Sequence, residues 1–312
     1  MTKSDSLWAN NRLRLIVAGD CNINCFYCHN EGQSKTFGRL SHELFMRVRE
    51  LLACNQTKLD SVTFSGGEPL LHPGLDGFIE GVASFAARRT LVTNGLLLTP
   101  ERLVALRNAG ITKIRLGVDS LRHPRWRPSL GKFPRVSIQD IIRTLAEGRV
   151  NYELNVVLTT FNASEIPVLL QFCGENRISA KFFEHVKVHS FGTKSVKGLI
   201  EPQPLVPFEH FNSGMRSVFP SARSAISEDM GPANYIYDCG SFAIRYCRYL
   251  CPFGLCYKTG TRIDPFGFVY TCMAGDGRYK IDSSETLQRS AESVLASMRE
   301  GCGLARRMSK AA

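Results

Sequence analysis

A chain of 312 residues can bury a large core, as one barrel-sized domain or one domain with a substantial appendage. No apolar run nears the roughly 20 residues of a membrane span, and the start, MTKSDSLWANN, lacks the basic-then-apolar form of a signal peptide, so a cytoplasmic protein is expected. The 39 basic residues against 28 acidic ones, a net charge of +11, favour anionic partners, but they are scattered without an aromatic-interleaved basic repeat and nucleic acid is not expected.

Leu13 to Val17 reads as a first strand. It leads into Asp20 to Gly32, DCNINCFYCHNEG, which places Cys21, Cys25 and Cys28 on one loop. Eleven cysteines in a reducing compartment point to metal or redox chemistry rather than disulfides. Tetrahedral zinc wants four ligands, whereas a cubane cluster held by three cysteines leaves one iron free for a substrate. A zinc knuckle completed by His29, or chance crowding of cysteines, is the alternative. Next, Ser41 can cap a helix with Leu44, Phe45, Val48, Leu51 and Leu52 at helical spacing. The strand Ser61 to Phe64 then runs into Ser65-Gly66-Gly67-Glu68-Pro69, a turn at the ligand-binding end of a parallel α/β unit.

The strand and helix alternation continues: helix Gly74 to Ala86, strand Thr90 to Thr93, helix Pro100 to Asn108, strand Lys113 to Val118, helix Ser137 to Glu147. The strand NYELNVVLT, a helix from Ala163 to Cys173 and a strand from Lys181 to Val188 complete six units. Six are too few for eight-stranded closure, so the fold class expected is α/β, an open, partial (β/α)6 TIM-type barrel. Polar residues at strand ends are candidate ligand contacts: Thr93 and Asn94, Asp119 and Ser120, Asn155, and Glu184 with Val186. Each has a turn or helix-cap role as its alternative. Cys54 and Cys173, isolated in helical stretches, read as buried core cysteines.

From Ser190 to Asn234 the chain is rich in Pro, Gly and Ser without clear periodicity, so the barrel is assigned to residues 1–190 and a second domain to 191–312. That second part is Cys-dense. Cys256 and Cys272 flank a hairpin turning at Phe266-Gly267, and such thiols can face one metal from two sides. Cys251 is the favoured third ligand, with Cys247 and Cys239 as alternatives, and a zinc ribbon is the competing reading. Ser284 to Glu300 reads as a packing helix.

Cys21, Cys25 and Cys28, with Tyr27 before the third cysteine and Gly66-Gly67-Glu68-Pro69 after the next strand, resemble the radical S-adenosylmethionine (SAM) superfamily. The resemblance implies a 4Fe-4S cluster on the three cysteines and SAM on its fourth iron. Reduction by a flavodoxin- or ferredoxin-type partner cleaves SAM to a 5′-deoxyadenosyl radical that abstracts hydrogen from substrate. It places SAM among Tyr27, Gly66, Gly67, Glu68, Thr93, Asn94, Asp119, Ser120, Asn155 and Val186, with Gly67 and Glu68 at the methionyl amine. The second cysteine region looks like a twitch-type domain, implying a second, auxiliary 4Fe-4S cluster on Cys251, Cys256 and Cys272.

LRLIVAGDCN, TNGLLL, GVDSL, LNVVLTTFN, KFFEHV and RIDPFGFVYTC are similar to the GTP cyclases of molybdenum-cofactor biosynthesis. That resemblance puts Arg14 at a GTP-contacting position and Arg262 beside the auxiliary cluster. Thr63 and Gly260 stand where the cyclases carry arginine, and Glu153 where they carry lysine, reversing the charge near any triphosphate. The longer cysteine spacings and the Lys310-Ala311-Ala312 end also differ. Lost guanidinium forks argue against GTP. The expected function is radical SAM chemistry on a polar, anionic small molecule in a specialised cofactor or natural-product pathway. The alternatives are modification of a peptide, GTP 3′,8-cyclisation, or a non-catalytic metal-binding scaffold.

Overall fold

The computed structural model describes Trp8 and residues 11–25, 27–28, 38–121, 127–128, 136–185, 206–226, 234–247, 260–271 and 279–280. Its elements run β1 (Arg12–Ala18), β2 (Ile23–Asn24), α1 (His42–Cys54), β3 (Leu59–Gly66), α2 (Leu75–Gly81), β4 (Ala86–Thr93), α3 (Pro100–Asn108), β5 (Lys113–Gly117) and β6 (Arg127–Pro128). They continue α4 (Ile138–Glu147), β7 (Tyr152–Leu158), α5 (Ile166–Asn176), β8 (Ala180–Glu184), α6 (Phe208–Val218), β9 (Arg223–Ile226), β10 (Asn234–Asp238), β11 (Ala243–Cys247), β12 (Thr261–Ile263), β13 (Phe268–Tyr270) and β14 (Tyr279–Lys280). No helix among the described residues is long and apolar enough to cross a membrane.

The helices start where the chemistry of their caps directs. Ser41, Thr99 and Ser137 each accept a backbone N–H from the third residue on, at 3.1 Å, a bond worth about 1 kcal/mol per helix. Pro100 at the start of α3 has no N–H to leave unpaired.

One sheet has the order β14-β13-β12-β1-β3-β4-β5-β7-β8-β11-β10-β9. From β12 to β11 every neighbouring pair is parallel, and the outer strands are antiparallel. The six βα strands therefore gain one parallel neighbour at each edge, both from the C-terminal part of the chain. Among the described residues the sheet is open, with β14 and β9 as its edges. Side chains alternate across it. Leu13, Leu15, Val62, Phe64, Leu91, Ile114, Leu116, Leu154, Val156, Phe182 and Ile244 enter the core beneath the helices. The intervening residues line the concave face.

Several local expectations are corrected. The second helix covers only Leu75–Gly81, because Gly77 and Gly81 weaken it, and Ala86 begins β4 instead. Cys173 is buried but Cys54 is exposed, since Leu51 and Leu52 take the core face of α1 and its last residue turns outward. The stretch read as aperiodic holds α6 and β9. Phe211 of α6 packs on Phe182 and Tyr246, with ring centroids 5.1 and 4.8 Å apart, so α6 extends the helix layer over β8 and β11. The hairpin predicted at Gly267 is present between β12 and β13, with Gly267 at φ +79°.

Candidate active site

The cysteine loop leaves the C-terminal end of β1 and is held there by the turn after β3. Gly67 donates its N–H to Ala18 O at 2.7 Å, and Glu68 to Asp20 O at 2.8 Å. A Cβ on Gly66 would lie 2.1 Å from Ala18 O, and one on Gly67 1.9 Å from Asp20 O. Both glycines are thus required for the turn to sit directly on the backbone entering Cys21. The loop is bracketed on its return by the Ala18–Arg39 bridge and by an Arg39–Asp20 ion pair at 3.1 Å. β2 pairs with β6, tying Ile23 and Asn24 to a second segment.

Glu68 is fully buried. Its carboxylate accepts from Thr93 Oγ1 at 2.6 Å, Asn94 N at 2.8 Å and Leu70 N at 3.0 Å, while burial pushes its pKa up to about 7. It joins the end of β3 to the end of β4. Asn94 carries the link onward: its Nδ2 donates to Asn22 Oδ1 at 2.7 Å and lies 3.8 Å from Cys21 Sγ. Burial, with Glu68 and Cys28 adding to it, raises the Cys21 thiol to about 11. Such a thiol ionises at neutral pH when a metal draws off its proton.

Cys21, Cys25 and Cys28 are half-buried, and Cys28 N donates to Cys25 O at 3.1 Å in a tight turn. Among the described residues no trio of His, Cys, Asp or Glu is already gathered at metal-binding distance. Three half-exposed thiols on one loop fit a thiophilic iron–sulfur centre rather than a hard, oxygen-ligated ion. Two orphaned polar atoms flank them: Asp20 Oδ1 and Asn22 Nδ2 are buried without a hydrogen-bond partner among the described residues. Asn22 was not a sequence candidate, because asparagine after cysteine reads as a turn residue.

Across the same end of the sheet, Tyr27 donates its hydroxyl to Asp119 Oδ1, and burial raises Asp119 to about 7. Ser120 Oγ donates to Glu165 Oε2 at 2.6 Å, securing the segment before α5. Asn155 stands on the concave face between Gly117 and Lys181, and its buried Oδ1 has no partner among the described residues. His185, also absent from the sequence candidates, is buried with its ring centroid 6.4 Å from that of Tyr27. Glu184 accepts from Tyr246 OH at 2.9 Å.

Val186, Cys251, Cys256 and Cys272 lie outside the described residues. Of the alternative ligands, Cys247 is buried at the end of β11 in register with Phe183. Cys239 lies in the turn before β11 and packs on the core. The strand between them spans about 13 Å, so they occupy opposite ends of it.

Deeper on the concave face lies a cluster of charge. Arg14 and Arg262 are in register on β1 and β12, beside Thr63. Arg14 donates to Ser65 Oγ at 3.3 Å, and buried Arg262 donates to Thr271 O at 2.6 Å. Glu153 is met by Arg115 Nε at 2.5 Å, Lys113 Nζ at 2.6 Å and Lys181 Nζ at 2.9 Å. Burial pushes this carboxyl up, but Lys181, Arg115 and Lys113 together hold it far below the usual range. Burial and Arg115 in turn lower Lys181 to about 8. Glu153 therefore shows no unbalanced negative charge. The signal in the sequence is charge at alternate positions of strands whose intervening residues, such as Ile114, Leu116 and Leu154, are apolar.

The family model described as the Radical SAM superfamily matches residues 15–173, about half of the chain. The GTP 3′,8-cyclase of Geobacter sulfurreducens is 33% identical over 185 residues, covering 56% of this chain and 55% of that protein. The probable GTP 3′,8-cyclase of Archaeoglobus fulgidus is 28% identical over 202 residues, 64% of this chain and 62% of that protein. The matched part thus spans less than two thirds of either relative's length. Among solved structures, native anSMEcpe with bound AdoMet superposes with a TM-score of 0.63 at 15% identity, covering 94% of this chain and 83% of that one.

Proposed function

This chain belongs to the radical SAM superfamily, whose members bind a 4Fe-4S cluster and SAM, and from that premise we propose that it acts on a polar, anionic small molecule in a specialised cofactor or natural-product pathway. When bound, the cluster would supply the electron for reductive cleavage of SAM and so for hydrogen abstraction from the substrate. Cys21, Cys25 and Cys28 are its ligands. The Gly66-Gly67 backbone, pressed against Ala18 and Asp20, fixes the place of that loop relative to the sheet.

Glu68 accepts from Thr93, Asn94 and Leu70, which orders the turn, and with Gly67 it would hold the methionyl amine. Asn155 offers an acceptor to the hydroxyl or amine donors of SAM. Asp119, held by Tyr27, ties the cysteine loop to the end of β5. Cys251, Cys256 and Cys272 would hold an auxiliary cluster in a C-terminal unit beginning near residue 190. The electron comes from a flavodoxin- or ferredoxin-type reductant.

The observation that carries this reading is the seating of the Gly-Gly turn on the backbone of the cysteine loop, at the C-terminal end of eight consecutive parallel strands. The substrate class rests on the concave face, where, among the described residues, Arg14, Lys113, Arg115, Lys181 and Arg262 outnumber the carboxylate of Glu153. Anaerobic reconstitution with iron and sulfide, followed by dithionite and SAM, tests it. The expected result is 5′-deoxyadenosine, with about four irons per cluster. Stoichiometric zinc without SAM cleavage would overturn it.

A further inference from the structure

Three cations from the two flanking strands, Lys113 and Arg115 of β5 and Lys181 of β8, converge on Glu153 of β7 between them at 2.5–2.9 Å. The Glu153 side chain is 4% exposed and that of Lys181 9% exposed. The arrangement is set by register: Arg115 pairs with Glu153, and Lys181 pairs with Asn155, one concave-face position above it. Arg245 on β11 lies beside Lys181 in the next strand. From Arg115 the chain needs four residues, about 13 Å of extended backbone, to reach Asp119 at the rim. The cluster is thus the floor of the concave face, beneath the cysteine loop.

Cations converging on one buried point are the usual means of gripping an anion, and a chain of phosphates is the anion that calls for several at once. Here the convergence point already holds a carboxylate belonging to the protein. Three positive charges against one negative leave two, enough to draw a single carboxylate or phosphate alongside, but a polyphosphate would have to displace a tethered rival already in contact. Some relatives of this chain are named for GTP, a triphosphate.

We propose that Glu153 is a specificity-determining residue, a built-in counter-anion that bars polyphosphate from the floor and restricts substrates to those presenting at most one anionic group there. This rests on the reading of the concave face as the substrate cavity of a radical SAM enzyme. It concerns binding alone, so a wild-type protein that failed to cleave SAM would refute that reading without deciding this one.

The test is calorimetric titration of the cluster-loaded full chain with sodium tripolyphosphate, in the wild type, E153Q, E153D and the double variant E153Q/K181M. E153Q should gain saturable binding at least tenfold tighter than the wild type. E153D, which keeps the charge, should stay like the wild type, and the double variant should lose the gain. A purely structural Glu153 would leave E153Q folded but no tighter for tripolyphosphate, and that result overturns the proposal. The wild type alone also decides: thermal melting unmoved by tripolyphosphate supports the built-in anion, and a marked upward shift refutes it.

Discussion

The rim and the floor of the concave face manage buried polarity in opposite ways. At the rim, Asp20 Oδ1, Asn22 Nδ2 and Asn155 Oδ1 are buried without partners among the described residues, around a loop carrying three half-exposed thiols. At the floor, Glu153 meets a cation on three sides. Leaving a buried polar group unmet costs about 1–3 kcal/mol, so the rim is built to be completed by something bound. The floor completes itself.

The contrast can be broken first at the rim. Gly67→Ala puts a methyl where only 1.9 Å separates it from Asp20 O, so the cysteine loop must shift. Iron loading and SAM cleavage should both collapse while the far-ultraviolet circular dichroism of the barrel is retained. At the floor, Glu153→Gln leaves three cations facing a neutral amide. Removing one partner of a buried ion cluster costs about 3–5 kcal/mol, which denaturant melts should show as a lower midpoint. Iron content should not change.

A pH series separates the two regions further. Glu68 and Asp119, raised to about 7, keep their protons in the folded protein after the unfolded chain has released them near 4. The native state then binds more protons, so stability of the metal-free protein should fall as pH rises from about 4 to 7, by on the order of 3–4 kcal/mol for each of the two groups, and then level off. Glu153 has the opposite sign: its stabilisation is present above the ordinary carboxylate range and is lost only in strong acid, well below it. Glu68→Gln should remove somewhat less than half of the slope between pH 4 and 7, the rest belonging to Asp119, measured by urea melts at each pH. The smallest effect is expected at one side chain: Asn155→Ala should weaken SAM about tenfold, the worth of one hydrogen bond near 1.4 kcal/mol, with iron content intact. Unchanged SAM affinity by equilibrium dialysis would return Asn155 to a structural role.

Much of the barrel is legible along the chain because its signals are local. α3 runs from Pro100 to Asn108 as the Thr99 cap and the apolar spacing require, and Ser41 and Ser137 cap as their positions suggest. α6 was hidden because Pro207, Ser213 and Gly214 mask the spacing of Phe208, Phe211 and Met215. That β11 joins β8 and β12 joins β1 could not be read from either segment, since strand pairing across many residues leaves no local trace. The site divides in the same way. The three cysteines and the Gly-Gly turn are contiguous motifs, and the structure brings the two together at one end of the sheet. Asn22, His185 and the partners of Glu153 are brought into place only by register and burial, so Glu153 read alone as a reversed charge when it is one carboxylate met by three cations.

The most direct test of the rim as the catalytic centre is reductive SAM cleavage by protein in which Cys21, Cys25 and Cys28 are all replaced with alanine, with 5′-deoxyadenosine measured against the wild type after equal dithionite. The arrangement of the loop predicts that its formation is abolished while the fold, read by circular dichroism, persists. Undiminished 5′-deoxyadenosine from that variant would contradict it.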